Sequence, residues 1–110
     1  MYYRIFQIFS PLINESYIHY TSSQNLPKVF AFHQSNHTGY IMGKMNSRYQ
    51  NYFRIFDTGS YEIKLLEEVD VDSPEEIRER VKNWIKKIPH SFGKNCVYSK
   101  RRFFCEINVK

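Results

Sequence analysis

Cysteine is scarce in this chain, long apolar runs are missing, and acid nearly vanishes from its last third. The two cysteines, Cys96 and Cys105, are too few for a disulfide framework and lack the short paired spacing of a zinc site. Free thiols in a reducing compartment fit them, and a bridge across a terminal hairpin is the other arrangement their positions allow. No apolar run approaches the roughly 18 residues that a membrane span needs. The opening MYYRIFQIFSPL carries one basic residue, Arg4, and reads as a strand rather than a secretory signal. The expectation is a soluble protein of a cell interior or a virion, not secreted and without a membrane partner. Repeats, low-complexity tracts and linkers are also lacking, so residues 1–110 read as one domain.

The acids that exist are crowded together. Nine of the eleven fall between Asp57 and Glu79, whereas residues 80–110 carry nine Lys or Arg against the single acid Glu106. Such a basic third raises the local concentration of polyanions, nucleic acid among them, and also serves plain solubility.

Local patterns mark the elements. Residues 2–9, YYRIFQIF, and 16–21, SYIHYT, are rich in aromatic and β-branched types and flank the turn signals Ser10-Pro11 and Asn14-Glu15, which suits a strand pair. Leu26, Val29, Phe30 and His33 stand at i, i+3, i+4 and i+7, with Pro27 in a first turn, and predict a short helix. Residues 38–47, with Gly39 and Gly43, read as a loop. Over residues 48–56, Tyr49, Tyr52, Phe53 and Phe56 predict a second helix. After the turn Asp57-Thr58-Gly59-Ser60, the alternation of Tyr61, Ile63 and Leu65 with Glu62 and Lys64 predicts a half-buried strand. Ser73, Pro74 and Glu76 then open the best-marked helix with a capping box, and its apolar stripe runs Ile77, Val81, Trp84, Ile85, Ile88. Pro89 and Gly93 end it, and residues 102–109, RFFCEINV, predict a last strand.

Four segments carry more than propensity: Tyr17-Ile18-His19-Tyr20-Thr21, LPKVFAFHQSN from Leu26, SYEIKLLEEVDVDSPEEIRERVKNWI from Ser60, and NCVYSKRR from Asn95. Together, and in this order, they resemble the GIY-YIG endonuclease domain in the small form common in phages and large DNA viruses. The resemblance implies an α/β fold, a central three-stranded sheet flanked by helices, here followed by a basic C-terminal strand. It also implies a catalytic set, which this chain has lost. The first strand reads Met1-Tyr2-Tyr3 and lacks the family's Gly-Ile-Tyr, leaving Tyr3 as the first tyrosine. Tyr17 matches the tyrosine of Tyr-Ile-Gly, with His19 in the glycine's place. Val29 stands where the family has its catalytic arginine, Val81 where it has the metal-binding glutamate, and Tyr98 where it has an asparagine.

Phosphodiester hydrolysis needs an activated water, and a divalent cation or cationic side chains to stabilise the developing charge. Val81 cannot ligate a metal and Val29 cannot hydrogen-bond a phosphate. Neither has an obvious replacement, since Glu79 lies about 200° around its helix from position 81 and Lys28 about 100° from position 29. No catalytic residue or cofactor is therefore expected, with Tyr3 and Tyr17 vestigial, and the two valines imply a former cleft turned into core or an apolar contact surface.

Each remaining feature has a plain alternative. The tyrosines also serve as amphipathic core edges. His33 and His37 have the spacing of half a metal site but no third ligand nearby in sequence. His19 either plugs the space the glycine left or points to solvent. Lys94, Lys100, Arg101 and Arg102, interleaved with Tyr98, Phe103 and Phe104, suit nucleic-acid binding as well as an edge strand with one wet face. The functional expectation is a catalytically silent GIY-YIG-like module that contacts proteins, a virus particle being one setting, or nucleic acid. The alternative is a divergent endonuclease dependent on Mg²⁺.

Overall fold

A computed structural model of the chain describes residues 1–44 and 49–94, together with the backbone of 96–98 and 103–105. Strand β1 (Tyr2–Phe9) lies between β2 (Ser16–Thr21) and β3 (Glu62–Asp70), antiparallel to both. A two-residue strand, β4 (Ser91–Phe92), pairs in parallel with the start of β2, giving the order β3-β1-β2-β4. The α/β class is as expected, but the sheet has four strands rather than three. After Pro89, His90 adopts the left-handed conformation at φ 60° and turns the chain back along β2, where Ser16 N donates to His90 O at 3.3 Å. Two residues are too few to show a period, so no sequence pattern marks β4.

The central strands are buried on both faces. Because successive side chains alternate across a strand, the adjacent pairs Ile5/Phe6 and Tyr17/Ile18 feed two separate cores. Phe6, Ile8 and Tyr17 join Tyr52, Phe53, Ile55, Phe56 and Phe92 on one face. Ile5 and Ile18 join Val69, Val71, Ile77, Val81 and Ile85 on the other. A bulge at Leu66 keeps β3 in step, since Ile5 pairs with Glu67 while Phe6 pairs with Leu65.

Helix α1 (Leu26–Ile41) covers the first face. Asn25 caps it by accepting from Lys28 N at 3.1 Å, and Leu26, Val29 and Phe30 pack inward. It continues through residues 38–41, where a loop is expected from sequence. Gly39 is buried there, so close packing offsets the cost of about 1 kcal/mol for glycine in a helix. Gly43, at φ 69°, ends α1 in a Schellman arrangement, with Gly43 N on Tyr40 O and Lys44 N on Gly39 O. The helix expected over residues 48–56 is reduced to one turn, α2 (Phe53–Phe56). Residues 45–48 lie outside the described residues. Tyr52, Phe53 and Phe56 are buried as their spacing suggests, whereas Tyr49 stays exposed with its ring edge-on to Phe53.

Helix α3 (Pro74–Lys87) covers the second face. Ser73 Oγ accepts from Glu76 N at 3.3 Å, while the returning carboxylate of Glu76 accepts from Asp72 N rather than Ser73 N, one residue earlier than a capping box predicts. Ile77, Val81 and Ile85 are the buried stripe. Glu67 pins the helix to β3 by accepting from Arg80 at 2.6 Å and from Trp84 Nε1 at 2.9 Å. Strands β5 (Cys96–Tyr98) and β6 (Phe103–Cys105) form an antiparallel pair apart from the main sheet, with Cys96 opposite Cys105 in register. The side chains of both cysteines, and with them the question of a bridge, lie outside the described residues. Among the described residues no helix is long and apolar enough to cross a membrane.

These burials separate the two valines energetically. Introducing an acid by Val81→Glu places an unpaired carboxylate among Ile5, Ile18, Ile77 and Ile85, and should cost about 3 kcal/mol or more. Val29→Arg at a half-buried position should cost only about 1 kcal/mol or less. Urea denaturation of both variants at neutral pH measures the difference, and equal losses would show that position 81 is not core.

Candidate functional site

A cleft of about 570 Å³ opens between α1 and the outer end of β2. Its position follows from the short reach of β4, which pairs only with Ser16 and Tyr17, so that His19 to Thr21 pair with β1 on one side and have no strand on their outer side among the described residues. Alternation along β2 sends Tyr17 and His19 to the α1 side. On α1, Lys28, Val29, Phe32, His33 and Asn36 recur at helical spacing and form the opposite wall. Gln50 and Tyr52 close one end, and Lys94 stands at the mouth. Asn51 holds the Lys94 segment in place, its Nδ2 donating to Gly93 O at 2.8 Å.

The floor is aromatic. The Tyr17 ring lies 5.0 Å from Tyr52, 5.8 Å from Phe92 and 5.9 Å from His33, centroid to centroid. His33 is buried, and its Nδ1 donates to Val29 O at 2.8 Å, which leaves Nε2 as the unprotonated nitrogen of the neutral ring. Asn36 Nδ2 donates to the Tyr52 hydroxyl at 3.0 Å. Burial raises the pKa of the Tyr17 phenol well above its ordinary value, with Tyr52 adding to the effect, so Tyr17 stays protonated at neutral pH. Burial, helped by the positive charges of His33 and Lys94, lowers His19 from 6.5 to about 4. His33 is lowered chiefly by burial, with its bond to Val29 opposing the shift.

The polar lining is cationic or neutral throughout. Among the described residues Lys28 and Lys94 are its charged side chains, His19 and His33 add to them when protonated, and no carboxylate lines the cleft. An anion entering here meets no repulsion and would draw protons onto the histidines. A phosphate suits the lysines, a flat ring suits the aromatic floor, and the two amides offer hydrogen bonds to a heteroatom edge.

Several site expectations are corrected by this geometry. The matched positions do not converge on one cleft. Tyr17 and Val29 belong to the α1 side, whereas Val81 lies in the core under α3 on the opposite face, and Tyr3 is there too, edge-on to Tyr20 at 5.3 Å. This cleft is not an apolar contact surface: among the described residues Val29 is the one aliphatic side chain lining it. Lys28 reaches the cleft beside Val29 despite its angular offset, because a four-carbon stem spans the difference. His33 and His37 part company: His37 Nε2 meets Asp57 Oδ1 at 2.7 Å, well away from the cleft lining. Of the four basic residues singled out for nucleic acid, Lys94 lies at the cleft, and Lys100, Arg101 and Arg102 lie outside the described residues, as does the Tyr98 side chain.

Lys28, Asn36, Gln50 and Tyr52 were not anticipated as site residues. Helical spacing from Val29 and His33 would have pointed to Asn36, whereas Gln50 and Tyr52 arrive through tertiary packing that no local pattern encodes. Compared with family models, curated proteins and solved structures, the chain matches none.

The lowered His19 has a measurable consequence. The unfolded chain takes up the proton near pH 6.5 and the folded chain only near pH 4, so the stabilising difference is complete above pH 6.5 and lost progressively as pH falls toward 4. Stability by chemical denaturation should fall by about 1–2 kcal/mol between pH 7 and pH 5 on account of this ring. In His19→Asn that fall should be much smaller; an unchanged pH slope would place the titration elsewhere.

Proposed function

We propose that this chain is a GIY-YIG-like domain that has given up phosphodiester hydrolysis and retains a binding role, with nucleic acid as its partner. The observation that carries the reading is the cleft beside Tyr17, in which two lysines and two histidines surround an aromatic floor with no carboxylate among the described lining residues. A hydrolytic site of the resembled kind needs an arginine at position 29 and an acid reaching the same cleft. Here position 29 is valine, and position 81 is a buried valine on the other face of the sheet. Among the described residues no three His, Cys, Asp or Glu side chains are grouped as metal ligands would be. Binding needs none of this. Cationic side chains next to an exposed ring, here Phe32 beside Lys28, are what a phosphate–base polymer uses, and the basic C-terminal third adds long-range attraction. A partner that is itself a protein would need an acidic face to fit the same cleft, and nothing in the lining selects for a peptide over a phosphate.

Incubation with supercoiled plasmid and Mg²⁺ or Mn²⁺ should give no nicking above background. Metal-dependent nicking abolished in Tyr17→Phe would instead support the divergent endonuclease. Oligonucleotide binding should weaken steeply with salt, and Lys28→Ala and Lys94→Ala should each reduce the slope of log K against log salt by about 1. Salt-independent binding, or none, would remove the polyanion reading.

A further inference from the structure

We infer that the cleft receives one unpaired nucleotide at a time, and so selects single-stranded nucleic acid over duplex. This rests on the nucleic-acid reading above and narrows it. At about 570 Å³ the space lies within the range of roughly 300–1,000 Å³ that encloses one small organic ligand, which is the scale of a base with its sugar and phosphate. A duplex presents only groove edges and backbone to its surroundings, so its bases cannot reach a floor at this depth without being taken out of the stack.

The chemistry of the walls is distributed along one nucleotide. Lys28 and Lys94 are exposed at the rim, where a phosphate would stay partly hydrated. Phe32, 63% exposed on the same helix one turn beyond Lys28, offers its ring to a base. Asn36 has its Nδ2 committed to Tyr52, which orients its Oδ1 as an acceptor, and Gln50 supplies a second amide. Phe32 touches His33 edge-on at 5.6 Å and leaves most of its ring open at the rim, where base stacking makes direct use of it. A surface built for duplex backbone would instead spread its cations along a groove, and this cleft concentrates rings and amides between two lysines.

The test compares four probes by fluorescence anisotropy and competition: a roughly 12-nucleotide single strand, the same sequence as a duplex, adenosine monophosphate and inorganic phosphate. The single strand should bind about tenfold or more tighter than the duplex, and adenosine monophosphate should compete with it while phosphate at equal concentration does not. Phe32→Ala, an exposed position that leaves the core intact, should weaken single-strand binding by about fivefold or more without altering its salt slope, because stacking is not a charge effect. Equal affinity for the duplex, still dependent on Lys28 and Lys94, would overturn the inference and leave the basic-cleft reading standing. Capture of the mononucleotide but not the strand would also overturn it, making a free nucleotide the ligand. Failure of all four probes would overturn the wider reading as well.

Discussion

Two pairs of neighbouring residues, Ile5/Phe6 on β1 and Tyr17/Ile18 on β2, are buried together on adjacent strands, and strand geometry forces the members of each pair to opposite faces. The sheet must then be covered twice, by α1 and α2 on one side and by α3 on the other. Which side a residue faces decides whether it can contribute to the cleft. A one-residue slip of β2 would send Ile18 into the cleft and Tyr17 and His19 under α3, so the chemistry of the site depends on the same register that buries the core.

That constraint also explains how valines at two positions have different meanings. Val81 completes a stripe of Ile77, Val81 and Ile85 that an acid would disrupt, while Val29 sits half-buried at the lip of a polar space. The cleft keeps its character from neighbours rather than from the matched positions: the aromatic floor lowers the basicity of His19 and His33, and Lys94 deepens the effect on His19. With both histidines lowered, Lys28 and Lys94 are the standing positive charges among the described lining residues at neutral pH.

Much of the architecture was legible in the residues. The aromatic and β-branched runs of β1 and β2, the cap and stripe of α3, and the turn at Gly59 announce themselves because local chemistry and tertiary burial agree there. The misses have equally specific causes. Helix α1 passes through a glycine that the local pattern treats as a breaker, because its other face packs closely. Strand β4 is two residues long and exists only because His90 turns the chain onto the edge of β2. Of the site, Tyr17 and Val29 were named from motif likeness, and Lys94 from charge. The placement of Val81 and Tyr3 on the far face could not be read from spacing, since the resemblance orders positions along the chain and says nothing about the sides of this sheet. Gln50 and Tyr52 come to the cleft by long-range packing alone.

The account's central claim is that the α1 side of the sheet is the binding face and the α3 side is structural. Titrating an unlabelled single-stranded oligonucleotide into isotopically labelled protein, followed by backbone and side-chain NMR shifts, tests it most directly. The account predicts the largest shifts at His19, Lys28, Phe32, Asn36 and Lys94, with Trp84 Nε1 and the amides of Ile77 to Ile85 unmoved. Shifts centred on Trp84, Arg80 and the α3 face, with the cleft silent, would contradict it.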